Sequence, residues 1–318
     1  MRKLLFSLTL LTILSGCEKT ITVDLPPGEE KIVIEGTIEP GQPPIVIVTK
    51  SQSYFAPTDL TSFLGIYVQD ATVIVNDGVI DHLLTPVCSD LIPDSLLDEA
   101  AALTGIDPQL LANANICIYT KPDLLGEVDR SYSLRVQVGD EVVTSRTHIP
   151  EPVELDSLWF RLSESDGTDT VNGFIWARFT DPDTTGNNYR IQTRRINLGE
   201  DGRPKDDINI APIGSTSNDA FINGLTVDFV IFRGNSPYET DPEELANFSF
   251  ARNDTVVVRL LSMGRDEYDF YRSFESNIST QGDIFTTPAN VMSNIEGGLG
   301  VWAGLGVYER TVVCVPSE

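Results

Sequence analysis

Glycine, aspartate and histidine residues at a few places in this 318-residue chain have the types or spacing that chemistry needs. Gly298, Gly300 and Ala303 in "EGGLGVWAG" fit G-x-G-x-x-[GA], the loop that brings backbone N–H groups to a dinucleotide pyrophosphate. That chemistry needs a strand before the loop and a helix after it, with the helix N-terminus facing the phosphate. Only fourteen residues follow Gly304, and they read as a strand. No second half of a βαβ unit fits there, so the spacing is accidental. The glycines are expected to let a strand bend or pack closely on its neighbour, with Trp302 a core or rim aromatic. "DPDTTGNN" sets Asp181, Asp183 and Thr185 ahead of Gly186, an echo of a calcium loop with Asp181 and Asp183 as candidate ligands. The bidentate Glu required at the twelfth position is missing, since Gln192 stands there, and a hairpin turn is expected instead. Asp201, Asp206 and Asp207 in "GEDGRPKDDIN" are candidates for cation contact on a solvated turn. The two histidines, His82 and His148, belong to no H-E-x-x-H motif, and no G-x-S-x-G elbow is present. The motifs therefore name no catalytic residue, no cofactor and no metal site.

A different chemistry is written at the N-terminus, "MRKLLFSLTLLTILSGC". Arg2 and Lys3 form a basic n-region, and Leu4 to Leu14 an apolar run too short to span a bilayer, the pattern of a cleaved signal. The stretch "LSGC" resembles the lipobox of bacterial lipoproteins. In that class the thiol of the cysteine, here Cys17, takes a diacylglyceryl group and the signal is cut just before it. The alternative is a cysteine that follows the signal by chance. Two or more acyl chains hold a protein stably at a membrane, whereas one gives marginal binding. Glu18 stands where an Asp would signal inner-membrane retention in enteric bacteria, so the outer membrane is the expected location, on either face.

Charge narrows the partners. Against 22 basic residues stand 47 acidic ones, a net charge of −25, which excludes a nucleic-acid binder that must neutralise phosphates. Direct adsorption to an anionic bilayer is disfavoured for the same reason. Removing residues 1–16 takes away Arg2 and Lys3, leaving 20 basic against 47 acidic residues, a net −27. Apolar content of 41% and charged content of 22% are those of a folded globular chain.

Any site must be positioned by strands, because short period-two runs dominate the chain after a polar tether over 17–30. "KIVIEGTI", "PIVIVTK", "ATVIVNDGVIDHLLT" and "SYSLRVQVGDEVVTSRTHIP" alternate, with Asn76-Asp77-Gly78 and Gly139-Asp140 as hairpin signals. They predict an immunoglobulin-like β-sandwich over 31–152. A helical insertion over 89–116 interrupts it, with Asp94 and Asp107 as candidate N-caps. Cys88 and Cys117 flank that insertion and are candidates for a disulfide, the alternative being two reduced core cysteines. Cys314 has no evident partner and is expected to be buried. Pro150 and Pro152 mark a boundary to a second β-rich domain over 153–318, with strands in "SLWFRLS", "GFIWARFTD", "NYRIQTRRI", "TVDFVIFRG" and "DTVVVRLLSM". Its one amphipathic helix, "GRDEYDFYRSFESNIST", carries Tyr268, Tyr271, Phe274 and Ile278 as an expected core stripe.

The lipobox followed by "KIVIEGTI", then "DATVIVNDG", "SYSLRVQVGDEVVTSRTHIPEPVELDSL", "GFIWARFTDPDTTGNNYRI" and "PANVMSNIEGGLGVWAGLGV", resembles the Bacteroidota lipoproteins grouped as domain-of-unknown-function family 4249. The resemblance covers nearly the whole chain after the signal. It implies an outer-membrane lipoprotein with an N-terminal immunoglobulin-like domain and a second β-rich domain. It also implies an accessory part beside a TonB-dependent receptor in nutrient uptake, with no catalytic residue to carry over and the Gly-rich run as a structural signature. Three readings follow. The first is a non-enzymatic tethered accessory that binds a partner or ligand. The second is a tethered hydrolase using a carboxylate pair, and the third a surface adhesion or structural component.

Overall fold

A computed structural model describes residues 29–52, 65–163, 170–199, 202–236, 239, 242–245, 247–280 and 290–316. The leader and Cys17 lie outside the described residues, as do Asp201 and all but the last two residues of the tether.

The described chain is mainly β, and its strands form four sheets. The first half runs β1 (Ile32–Ile38), β2 (Ile45–Lys50), β3 (Thr72–Asn76), β4 (Asp81–Leu83) and β5 (Thr85–Cys88). Helices α1 (Leu97–Thr104) and α2 (Pro108–Asn113) follow, then β6 (Cys117–Thr120), β7 (Arg130–Val138) and β8 (Glu141–Ile149). The second half runs β9 (Leu155–Leu162), β10 (Asn172–Thr180), β11 (Asn188–Arg195), β12 (Thr216–Asn218), β13 (Thr226–Ile231) and α3 (Pro242–Leu245). It continues through β14 (Phe250–Ala251), β15 (Thr255–Met263), α4 (Arg265–Ser279), β16 (Leu299–Gly304) and β17 (Gly306–Val313).

Period two decides which side chains enter each core. On β1, Ile32, Ile34 and Ile38 are buried while Glu35 between them faces out. Two sheets, β16-β1-β2-β6-β5 and β4-β3-β7-β8, share a first core that includes Ile34, Val46, Val75, Tyr132, Val136 and Trp302. The expected hairpins join β3 to β4 and β7 to β8. In the first, Asp77 Oδ1 accepts the N–H groups of Val79 and Ile80, each at 2.9 Å. In the second, Gly139 takes φ +57°, where a Cβ would be strained.

A second core, with Phe160, Ile175, Tyr189, Phe250, Val258 and Cys314, lies between β12-β11-β15-β17 and the sheet in which β10 pairs β9, β13 and β14. Strand β15 is buried on both faces. Val256, Val258 and Leu260 belong to this core, while Leu261 and Met263 pack on the opposite side with Val301 and Ala303. That is why it reads as a largely apolar run, interrupted at Arg259 and Ser262, rather than an alternating one.

The sheets cut across the expected division at 152/153. Strand β16 pairs in parallel with β1, from Val33–Leu299 to Ile38–Gly304, so it completes the first sheet although it lies near the C-terminus. Leu305 alone then leads into β17, a strand of the second core's sheet. Here the glycine run has its physical reason. A Cβ on Gly300 would stand 1.9 Å from Ile34 O, one on Gly304 2.6 Å from His148 O, and one on Gly306 2.2 Å from Pro150 O. At these three positions the backbone passes β1 and the end of β8 too closely for a side chain.

The insertion folds as two short helices that cover the outer face of the first sheet. Ala101, Ile106, Leu111, Ala114 and Ile116 pack on Ile47, and Ile208 and Ile210 from the second half join the same cluster. Asp107 caps α2 through the N–H groups of Gln109 and Leu110, whereas Asp94 opens a 3-10 turn without a side-chain cap bond. The sulfurs of Cys88 and Cys117 are bonded at the base of the insertion. Cys314 is buried, which pushes its thiol up to about 12.

Helix α4 keeps half of its expected stripe, since Tyr268 and Tyr271 pack against the cluster of Leu261, Met263, Val301 and Ala303. Phe274 and Ile278 are 42% and 41% exposed, and the helix's fully buried side chains are two carboxylates, Glu267 and Glu275. These lie eight residues apart on one face with half-buried Tyr271 between them. Glu267 accepts from the Thr147 hydroxyl of β8, which in turn accepts from Gly304 N at 2.7 Å. Glu275 accepts from Thr216 Oγ1 at 2.6 Å and from Gly214 N at 3.2 Å, and lies 3.6 Å from Arg190. The helix is thus fastened to one half through each carboxylate.

Candidate functional site: a cleft between the two halves

The outer face of the first sheet and the outer face of β11-β15-β17 meet across a cleft of about 620 Å³, with α1 forming a further wall. Alternation supplies its lining. Thr37 and Glu39 continue the outward face of β1 that carries Glu35, and Ile118 and Thr120 share a face of β6. On β11, Arg190, Gln192 and Arg194 point away from the core that takes Tyr189 and Ile191. The α1 side contributes Ala100 and Leu103.

Charges in and beside the cleft are mostly matched. Arg259, 8% exposed, donates to Gln192 Oε1 at 2.7 Å and to Glu39, and its Nε lies 3.4 Å from Glu309. Arg190 lies 4.0 Å over the ring of Tyr271. Glu35 has solvent-reached surface but is hemmed in by the two halves. Loss of hydration raises its pKa above the ordinary carboxylate range, with Arg190 pulling the other way. The Tyr271 phenol is pushed up to about 12, chiefly by burial, again against Arg190.

Among the described residues Arg259 Nε makes no hydrogen bond beyond its ion pair with Glu309, and three further polar atoms in this cleft are not matched. Thr120 Oγ1, Arg194 Nε and Asn209 Oδ1 are buried without a hydrogen-bond partner among the described residues, and all three residues line the cavity. Thr120 is 8% exposed. Buried polar atoms are nearly always satisfied, and leaving one unpaired costs about 1–3 kcal/mol. Together they offer a cationic donor, a hydroxyl that gives or accepts, and an amide acceptor.

A second cavity, of about 480 Å³, opens where β12 and β13 edge the second core. It is lined by core side chains such as Phe179, Tyr189 and Leu260, so it is a gap in apolar packing with little to orient a ligand.

The residues singled out in the sequence are scattered and most are structurally occupied, Asp207, with its Oδ1 unpaired among the described residues, being an exception. Asp181, 2% exposed, accepts from Tyr189 Oη at 2.7 Å and Gly224 N at 3.3 Å. Asp183 lies against Gly224. The "DPDTTGNN" segment is not a hairpin, because β10 and β11 belong to different sheets; it arches from one to the other. Asp219 staples that arch by accepting from Gly186 N at 2.7 Å and Asn187 N at 2.9 Å. Asp206 is likewise no solvated turn residue. It is 8% exposed and gripped by Arg195, whose Nη2 is 2.7 Å from Oδ1 and whose backbone N is 2.7 Å from Oδ2. Asp207 lies beside it, partly buried. No group of three metal-ligating side chains gathers among the described residues. His82 lies 3.2 Å from Asp77 and His148 3.4 Å from Asp129, far apart in sequence and on separate strands.

Sequence reading missed Thr120, Arg194, Asn209 and Arg259. One signal was present: Arg190, Gln192 and Arg194 alternate with apolar Tyr189 and Ile191, which marks a polar outer face of β11. What covers that face is a tertiary fact.

No curated protein matches the chain. The family described as Domain of unknown function (DUF4249) matches residues 18–311, which takes in every strand from β1 to β16 and most of β17. The match therefore spans both cores and the cleft between them, and the chain belongs to the DUF4249 family.

Proposed function

We propose that the protein is an accessory lipoprotein, held at the outer membrane by lipid on Cys17, that binds a ligand or partner alongside a TonB-dependent uptake system and does no covalent chemistry on it. In this reading the two cores are β-sandwiches, the first of immunoglobulin-like type. The observation that carries the reading is the cleft between the halves, where Thr120, Arg194 and Asn209 present polar atoms that the chain itself leaves unpaired. Sites at the junction of two units are common places for ligands. A binding role is favoured over hydrolysis by the state of the buried carboxylates. Asp181, Asp206, Asp219, Glu267 and Glu275 each accept bonds from protein groups, which holds them as structural acceptors rather than as a free acid and base.

Affinity purification of the full chain from its own membranes tests this reading. Recovery with a β-barrel receptor, or with a retained small molecule, is expected. Recovery of the bare chain, with neither, would contradict it.

A further inference from the structure

We infer that the cleft between the two halves takes a short peptide segment, an inference that rests on the binding role proposed above. The unpaired atoms are of both kinds. Arg194 Nε donates, Asn209 Oδ1 accepts, and the Thr120 hydroxyl does either. Next to them stands an aliphatic wall from Ile45, Ile118 and Leu103. An extended peptide presents C=O and N–H groups in alternation along its backbone, with aliphatic side chains between them, and so offers partners of each kind.

The same lining argues against other ligand classes. Saccharide sites gain much of their affinity from rings laid on aromatic faces, and none of the residues lining this cleft is aromatic. A polyanion such as a nucleotide would face Glu39, Glu99 and Glu309 with only Arg194 and Arg259 in support, on a chain of net charge −25. Arg259 is moreover already committed to Glu39 and Gln192. A volume of about 620 Å³ lies inside the roughly 300–1,000 Å³ of small-ligand sites, room for a few residues in extended form.

The test uses the full chain in detergent and equilibrium dialysis against the tripeptide Ala-Leu-Ala, with maltose and inorganic phosphate as separate arms. The expected result is saturable uptake of the tripeptide alone, weakened about tenfold by Thr120→Val and by Arg194→Ala, as the loss of one good hydrogen bond implies. Thr120→Val leaves the melting temperature of the ligand-free chain unchanged or higher, because it removes a buried hydroxyl that lacks a partner. That second readout separates a lost contact from a damaged fold. Failure of the tripeptide to saturate at millimolar concentration, preference for maltose or phosphate, or equal uptake by Thr120→Val would each overturn the inference. Any of these, with a receptor still recovered from membranes, would overturn the peptide assignment while the accessory role stands.

Discussion

Gly36 and Trp302 share one space: they are register partners across β1 and β16, and a Cβ on Gly36 would stand 2.7 Å from Trp302 Cε3. The indole is fully buried, and its Nε1 donates to Tyr132 O at 3.1 Å. Asn294 holds the same residue from the other side, accepting from Trp302 N at 2.9 Å and donating to Trp302 O at 2.8 Å. The side-chain amide thus acts as a miniature strand on the free edge of β16. Trp302→Ala is expected to cost about 3–5 kcal/mol as a large cavity opens. Gly36→Ala must push the ring off its site and is expected to cost about 1–3 kcal/mol. Urea denaturation of each variant checks both. Wild-type midpoints for the two would show that β16 does not anchor the first core.

Glu275 is the second fastening. Its removal leaves Arg190, Thr216 Oγ1 and Gly214 N facing an empty acceptor. Glu275→Ala is expected to lose about 3–5 kcal/mol, the usual cost of orphaning a buried partner. Ile278→Ser, on the exposed flank of the same helix, is expected to change stability by about 0.5 kcal/mol or less. The reverse order would restore the aromatic stripe as the helix's buried face.

Acid titration has a sign that geometry fixes. Burial raises the native pKa of Glu267, so this side chain binds a proton more readily folded than unfolded. Its contribution is fully present below the unfolded value of about 4.3 and is lost as pH rises through the native one. Asp77 works the other way. The N–H of Ile80, foremost, holds its carboxyl well below the usual range, and its contribution is lost only as pH falls through that low native value. Glu267→Gln should therefore flatten the decline in urea midpoint from about pH 4.3 upward. An unchanged slope would contradict the assignment of Glu267 as a buried titrating group.

Reduction tests the insertion. The Cys88–Cys117 bond closes a loop of 29 residues, for which chain entropy gives roughly 3–4 kcal/mol. Full reduction is expected to lower the melting temperature by several degrees and to loosen α1 and α2 first, seen as faster amide exchange over 89–116. Identical exchange in both redox states would show that packing on Ile47 alone holds the insertion.

Much of the fold could be read from the chain because its strands alternate cleanly. β1, β7 and β8 show a buried residue at every second place, and the turn at Gly139 has the backbone that a glycine permits. The partner of a strand is less legible. Nothing local tells that Leu299–Gly304 returns to lie beside β1, since the two are separated by most of the chain. The same limit turned the arch at Asp181–Asn188 into an expected hairpin, as its turn residues would suit either. In α4 the spacing pointed to Tyr268, Tyr271, Phe274 and Ile278, of which the first two pack on a core and the last two do not. The helix is rotated by a need no propensity records: Thr147 on one side and Thr216 with Arg190 on the other require carboxylate acceptors. The cleft was the least legible part, because Thr120, Arg194 and Asn209 meet only after both halves have folded.

The proposed role depends most on Cys17, and the intact mass of the protein extracted from membranes tests it most directly. The account predicts a chain that begins at Cys17 and carries the added mass of a diacylglyceryl group, found in the membrane fraction. A chain with an unmodified Cys17 thiol, recovered in the aqueous fraction, would contradict it.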